Sequence, residues 1–156
     1  MGAMVDDGKP FDNYNPPSWD EFFMLKVYLT GYNGIPEGVE DREERFNRPE
    51  KYSYFEHAER NAIFTAARHG ITTHDATLYT QALPCVDCAR AIIQSGISKI
   101  YVHEQFYKLC ERVQRDKWLG HDKITMEMFK EANVELIMLD LKLNVKAYLD
   151  GKVYTV

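Results

Sequence analysis

The sequence is poor in cysteine, in long apolar runs and in positive charge, and each shortage excludes a class of protein. Three cysteines in 156 residues cannot build a disulfide framework, which predicts a reducing compartment such as the cytoplasm. No apolar run approaches the ~20 residues that cross a bilayer, so we predict no membrane segment. The net charge of −5 disfavours a polynucleotide partner, because phosphate contacts usually require a basic surface.

What remains is the composition of an ordinary folded domain. Hydrophobic residues make up 45% and charged residues 28% of the chain, and 156 residues suit one domain. We divide the chain into an N-terminal arm of residues 1–17, of which residues 1–4 resemble a cloning remnant, a domain of residues 18–140, and a tail of residues 141–156. The tail alternates around Asp150 and Gly151, which predicts a hairpin that belongs to the same domain.

Helical and strand patterns alternate along residues 18–140, which predicts an α/β protein. A capping box, Ser18 with Glu21, opens the first helix, and Gly70 and Gly96 are placed to end two later helices. The predicted helices cover residues 18–29, 56–69, 86–95, 105–119 and 123–132, and the predicted strands cover residues 76–80, 99–102 and 134–139. Because a helix joins the first two strands, these strands should lie parallel in one sheet.

Two short stretches, residues 57–59 and residues 84–88, carry the residues with the clearest chemistry. The first contains His57 and Glu59, and the second contains Cys85 and Cys88 behind a proline. One imidazole and two thiolates make three of the four ligands of a tetrahedral zinc ion, and three protein ligands with water in the fourth position are typical of a catalytic site. Zinc brings the pKa of that water to about 7. Glu59 can then carry protons without binding the metal, as in zinc nucleobase deaminases.

The spacing of these residues favours one joint site. Cys85 and Cys88 lie three apart, so a helix that begins there turns both sulfurs to one side, and its dipole favours their thiolate form. His57 and Glu59 would point about 200° apart on a regular helix, so we place them in a first turn, where the glutamate can reach back. The cysteines could instead form a redox pair, or part of a closed structural zinc site with Cys110 or a second histidine. A closed site would leave Glu59 without a role.

A loop at residues 31–38 contains three glycines and a proline. Glycine lets a backbone approach a ligand closely, and Asn33 offers a donor and an acceptor to a sugar hydroxyl; the alternative is a plain turn. The acids between residues 37 and 44 could help to hold Mg²⁺ with a triphosphate, although such a charge run is usually a solvated face. Arg68 lies about 16 Å along the helix from His57, so it would serve a neighbouring subunit or a second site.

The zinc residues, Ser18 with Trp19, and the loop sequence Gly-Tyr-Asn-Gly-Ile-Pro-Glu-Gly together resemble the deoxycytidylate deaminases of the cytidine-deaminase-like superfamily. The resemblance covers roughly residues 17–139. The zinc motif is shared by the whole superfamily, whereas the loop and the Ser-Trp start are more specific to this branch. The resemblance implies a three-layer α/β/α fold with a central mixed sheet flanked by helices. Family members usually place a strand pair before the loop, but here residues 26–30 run directly into Gly31.

The resemblance also implies a function and a set of site residues. The activity would be hydrolysis of dCMP to dUMP and ammonia, which feeds dTMP synthesis. His57, Cys85 and Cys88 would be the zinc ligands, Glu59 the proton shuttle, and Asn33 a deoxyribose contact. Members are typically homo-hexamers that dCTP activates and dTTP inhibits with Mg²⁺, and some are phage-encoded, which places them in the host cytoplasm. The candidates for substrate binding are Asn33, Tyr32, Gly34 and Arg60, and those for effector binding are Gly31, Asn33, Gly34, Glu37 and Arg68.

The sequence does not determine which substrate is deaminated or which residue binds its phosphate. A 5′-phosphate needs a cation, and the candidates by proximity are Arg42, Arg45, Arg48, Lys51 and Arg60. The alternative functions are deamination of another substrate, such as cytidine, deoxycytidine, a free base or a tRNA adenosine, and a non-catalytic zinc-binding or nucleotide-binding module.

Overall fold

The computed structural model describes residues 29–118, 121–149 and 152–156. Three predicted features lie outside these residues: the N-terminal arm, the helix opened by Ser18, and the turn at Asp150 and Gly151. In the described part of the chain, no helix is long and apolar enough to cross a membrane.

Helices and strands follow one another along the described residues, after a short 3-10 helix at Glu43–Phe46. The helices are α1 (Lys51–Tyr54), α2 (Ala58–Arg68), α3 (Val86–Gln94), α4 (Glu104–Trp118) and α5 (His121–Glu131). The strands are β1 (Thr77–Thr80), β2 (Lys99–His103), β3 (Glu135–Leu139), β4 (Lys146–Leu149) and β5 (Lys152–Thr155). The helices and strands predicted between residues 56 and 139 are all present, with ends displaced by at most two residues. The sequence did not predict α1 or the 3-10 helix.

The first three strands form one parallel sheet in the order β1, β2, β3. Leu78 lies opposite Ile100, and Ile100 lies opposite Leu136, so apolar side chains from all three strands line one face. α3 connects β1 to β2, and α4 with α5 connects β2 to β3, because parallel neighbours need a crossover connection. The predicted α/β class and the predicted parallel pair are confirmed. The resemblance implied a mixed sheet, but the three strands of this sheet in the described residues are all parallel.

The core lies between this apolar face and the helices. Ile100 and Val102 of β2 are fully buried, and they form one cluster with Ile92 of α3 and Phe129 of α5. α3 packs against both α2 and α5, so burial of its apolar residues fixes its position. Its first turn consequently lies just beyond the carboxyl end of β1, the region where open α/β sheets bind ligands.

Two helices end at glycines, as the sequence predicted. Gly70 follows α2 with φ of +66°, and Gly96 follows α3 with φ of +76°. Side chains of L residues rarely tolerate this left-handed backbone, which glycine adopts freely. Near the carboxyl end of the chain, β4 and β5 pair antiparallel as a separate two-stranded sheet.

Candidate metal centre and active site

The two stretches with the clearest chemistry meet at the amino-terminal ends of α2 and α3. His57 directly precedes α2, Cys85 directly precedes α3, and Cys88 lies in the first turn of α3. The Nδ1 atom of His57 is 3.4 Å from the Sγ atom of Cys85 and 3.5 Å from that of Cys88. Among the residues that the structure describes, these three are the one group of His, Cys, Asp or Glu side chains that could hold a metal ion.

The geometry of this group fits zinc. A tetrahedral ion with bonds of about 2.3 Å to sulfur and about 2.0–2.1 Å to nitrogen sets its nitrogen and sulfur ligands about 3.6 Å apart. The two N···S distances of 3.4 and 3.5 Å are close to that separation. One nitrogen and two sulfurs also suit the preferences of zinc. Cys110, a possible fourth ligand of a closed structural site, does not belong to the group.

Glu59 lies beside the three ligands without belonging to them. It is in the first turn of α2, and its Oε2 atom is 3.7 Å from the Sγ atom of Cys88. On a regular helix the side chains of His57 and Glu59 would point about 200° apart. His57 is not helical, because its backbone is extended, with φ of −75° and ψ of 148°. Burial raises the pKa of the Glu59 carboxyl group above its ordinary value. A carboxyl group of this kind is suited to take up and release a proton.

The two thiols of the site differ in how readily they ionise. The hydrogen bond with Cys88 lowers the pKa of Cys85 to about 4. The same hydrogen bond, together with burial, raises the pKa of Cys88. A hydrogen bond with Cys85 raises the pKa of His57. The site therefore favours a thiolate at Cys85 at neutral pH, and thiolate is the form of cysteine that binds metal ions.

The glycine-rich loop at residues 31–38 lies along the start of α2. The backbone N–H of Ala58 donates a hydrogen bond to the Oδ1 atom of Asn33, with an N···O distance of 3.2 Å. Gly34 and Glu56 pair as an isolated antiparallel bridge, with N···O distances of 3.1 and 2.8 Å. Asn33 is thus joined to the residue between His57 and Glu59. These hydrogen bonds hold the loop against the start of α2.

Gly31 is the point where this loop comes closest to α2, and Gly31→Ala is expected to destabilise the protein. A Cβ atom at this position would overlap the carbonyl oxygen of Ala58 and lie 2.6 Å from the backbone nitrogen of Ala62. Helix backbone atoms cannot turn aside as a side chain can. We expect a loss of about 1–3 kcal/mol in the free energy of unfolding, measured by denaturant or thermal unfolding.

Gly34→Ala is the matched control for this prediction. The nearest atoms to a Cβ at Gly34 belong to the ring of Tyr32, at 2.5 Å and beyond, and Tyr32 is 61% exposed. The ring can move away, so we expect a change within about 0.5 kcal/mol. Equal losses for the two substitutions would contradict the close packing of Gly31 on α2.

Two other predicted site residues, Arg60 and Arg68, lie at opposite ends of α2. Arg60 is in its first turn, next to Glu59, and forms an ion pair with Glu56. Arg68 is its last residue and forms an ion pair with Glu37 of the loop; both side chains are largely exposed. The structure therefore joins two of the effector candidates to each other, one helix length away from His57.

Glu56 is a residue of this region that the sequence analysis missed. Its Oε1 atom accepts a hydrogen bond from the backbone N–H of His57, with an N···O distance of 3.0 Å. The same carboxylate pairs with Arg60. The first N–H groups of a helix lack partners within the helix. An acidic residue next to the N-cap residue His57 was therefore the signal that could have identified Glu56.

The remaining cations proposed for a 5′-phosphate have other contacts. Arg42 forms an ion pair with Glu40. The others lie over aromatic rings of the same segment, in the pairs Arg45 with Tyr54, Arg48 with Tyr52, and Lys51 with Phe55. Of the five cations named from the sequence, Arg60 is the one within the first turn of α2.

Known proteins resemble the part of the chain that forms this site. Residues 24–104 match the family model described as the cytidine and deoxycytidylate deaminase zinc-binding region. An uncharacterized deaminase from the luxG 3′ region of Aliivibrio fischeri is 35% identical over 74% of this chain and 74% of that protein. A probable deoxycytidylate deaminase of Caenorhabditis elegans is 40% identical over 65% of this chain and 52% of that protein. The apo crystal structure of a dCMP deaminase from cyanophage S-TIM5 matches with a TM-score of 0.49 at 20% identity, over 73% of this chain and 72% of that chain.

Proposed function

Because the chain belongs to the cytidine and deoxycytidylate deaminase family, whose zinc-binding region matches residues 24–104, we propose that it hydrolyses dCMP to dUMP and ammonia. The observation that carries this proposal is the convergence of His57, Cys85 and Cys88 beside Glu59. The choice of dCMP is supported by the loop at residues 31–38 and by the relative in C. elegans. This chain covers 52% of that relative, and the substrate of the relative is transferred here as part of the proposal.

In this proposal the protein holds the metal, orients the substrate and moves protons. His57, Cys85 and Cys88 would hold a zinc ion, which when bound makes ionised water available at neutral pH. Glu59 takes one proton from the attacking water and delivers it to N3 of the cytosine, and it then carries the second proton of that water, from the new C4 hydroxyl group, to the departing amine. A C4–O bond replaces the C4–N bond, water is consumed and ammonia leaves. The raised pKa of Glu59 suits a group that both accepts and donates protons.

The substrate contacts follow from the position of the loop and of the first turn of α2. We assign the deoxyribose to Asn33, whose backbone neighbours Tyr32 and Gly34 complete that part of the loop. We assign the 5′-phosphate to Arg60, because this residue directly follows Glu59 and carries a fixed charge. Its ion pair with Glu56 orients the guanidinium group, and a phosphate would have to share or displace that carboxylate.

Regulation belongs to the same proposal. We propose a homo-hexamer that dCTP activates and that dTTP inhibits together with Mg²⁺, working in the cytoplasm and feeding dTMP synthesis. The effector residues would be Gly31, Asn33, Gly34, Glu37 and Arg68. The exposed ion pair between Glu37 and Arg68 supports this placement, because a triphosphate could take the place of the Glu37 carboxylate. The loop would carry that change to Asn33 at the metal centre.

A competition assay tests the choice of substrate. With zinc-loaded protein, we expect the highest kcat/KM for dCMP, and weak competition from deoxycytidine, cytosine and tRNA, because these lack a free 5′-monophosphate on a single deoxynucleoside. A clear preference for any of the other three would overturn the proposal. The same assay with dCTP or dTTP added, with and without Mg²⁺, checks the regulation. If neither nucleotide changes the turnover of dCMP, the proposed activation and inhibition are wrong.

A further inference from the structure

The first backbone N–H groups of α2 are not capped by the side chain of the residue that precedes the helix. The first N–H groups of a helix have no partner within the helix, and the residue before the helix usually supplies one from its side chain. Here that residue is His57, whose side chain makes no such hydrogen bond. Its ring instead faces Cys85 and Cys88, with Nδ1 at 3.4 and 3.5 Å from the two sulfurs. A neutral histidine that binds a metal ion through one ring nitrogen carries a proton on the other, so it cannot accept a hydrogen bond from the N–H groups of the helix.

Two side chains from outside the helix take over this role. The backbone N–H of His57 donates to Glu56, and the backbone N–H of Ala58 donates to the Oδ1 atom of Asn33, which is 25 residues away in the chain. A backbone N–H can only donate, so the atom of Asn33 that faces it must be the carbonyl oxygen. The amide of Asn33 is thereby oriented, and its two N–H donors have no hydrogen-bond partner within the part of the chain that the structure describes.

The backbone around Asn33 is held at the same place by independent contacts. Gly34 exchanges two hydrogen bonds with Glu56 on one side of Asn33. On the other side, the backbone of Gly31 packs so closely on Ala58 and Ala62 that it leaves no room for a Cβ atom. The position of Asn33 relative to α2 is therefore set by the whole loop, which gives its side chain a fixed acceptor position.

We propose that Asn33 is a positioning residue that caps α2 from the loop and so holds His57 and Glu59 in place for metal binding. Ala58, the residue it holds, lies between the metal ligand and the acid. Loss of the Asn33 acceptor leaves the Ala58 N–H unpaired and loosens the turn that carries both side chains. This role rests on the metal site of the proposed function and not on the identity of the substrate.

Three substitutions test the proposal. Asn33→Leu has a similar volume and no acceptor, Asn33→Asp keeps an acceptor oxygen and loses the N–H donors, and Asn47→Leu is a matched control at an exposed asparagine of the 3-10 helix end. Two readouts need no substrate: hydrogen exchange of the Ala58 amide by NMR, and zinc affinity by competition with a chromogenic chelator. The kinetic constants kcat and KM are measured as a third readout.

We expect Asn33→Leu to lose about tenfold in protection of the Ala58 amide and about tenfold in zinc affinity, with a lower kcat. Asn33→Asp should keep the protection and the zinc affinity near the values of the native chain, and it should raise KM, because it removes the amide N–H groups assigned to the deoxyribose. Asn47→Leu should change none of these values.

Unchanged exchange and zinc affinity in Asn33→Leu, with a raised KM alone, would overturn the proposal and leave Asn33 as a substrate contact. If Asn33→Leu does not fold, Asn33→Asp decides the matter, and an unprotected Ala58 amide in that variant would also overturn it. A failure of dCMP turnover in the native chain would count against the proposed substrate and would leave the exchange and affinity results intact.

Discussion

Glu59→Gln is expected to lower the turnover of dCMP by about 10²–10⁴-fold while zinc content stays at the native level. Glutamine keeps the size and the hydrogen-bonding shape of the side chain but cannot carry a proton between water, N3 and the leaving amine. It does not remove a metal ligand, because Glu59 lies beside the three ligand residues and outside their group. Ammonia release measures the turnover, and elemental analysis measures the zinc.

The pH dependence adds a second observation to the same experiment. The carboxylate accepts a proton only at a pH above its pKa, and burial raises that pKa. The acid limb of kcat/KM in the native chain should therefore lie above the ordinary value of 4.5 for glutamate, and turnover should fall as the pH decreases through it. In Glu59→Gln this limb should disappear from the residual activity.

The control for this prediction is Glu131→Gln, at the exposed end of α5. This substitution also removes a negative charge, so it separates an effect of net charge from an effect of the site. We expect native turnover for it. Near-native turnover of Glu59→Gln would rule out Glu59 as the proton carrier, whatever the control shows.

Cys88→Ala is expected to abolish zinc binding and turnover together. Cys88 is fully buried and supplies one of the two sulfurs that face His57. Loss of a residue that merely orients a ligand costs about 10–100-fold in metal affinity, and loss of a ligand itself should exceed that. Competition with a chelator measures the affinity, and the stoichiometry of purified protein measures retention.

Cys110→Ala is the matched control, because it removes a thiol of a half-buried cysteine on α4 that does not belong to the ligand group. Burial raises the pKa of Cys110 to about 11, so this thiol is protonated at neutral pH and is a poor metal ligand. We expect native zinc content and native turnover. Zinc loss in Cys110→Ala equal to that in Cys88→Ala would support a closed structural site and contradict the assignment.

The sequence predicted the fold well where hydrophobic periodicity is long and local. α3 combines buried residues on one face with a glycine at its end, and β2 alternates between buried and half-buried positions. α1 was missed because four residues are too few to show a helical period. The direction of β1 and β2 was also predictable, because the helix between them requires a parallel pair, and the structure has that pair.

The candidate site was predictable to the extent that its chemistry lies in short motifs. His57, Cys85 and Cys88 were named as one group because each stretch places its ligands at the start of a helix, and the structure brings them together. The hydrogen bond between Asn33 and Ala58 spans 25 residues, and it depends on where the fold places the loop. Such a contact has no local pattern, so the sequence indicated Asn33 only as a ligand contact and not as a helix cap.

The zinc ligands assigned to His57, Cys85 and Cys88 can be measured by zinc K-edge absorption of the purified chain, combined with its metal content. We predict about one zinc ion per chain with two sulfur neighbours at about 2.3 Å, one histidine nitrogen at about 2.0–2.1 Å, and a fourth light atom from solvent. Folded protein that deaminates dCMP without zinc, or a zinc ion with four protein ligands, would contradict this assignment.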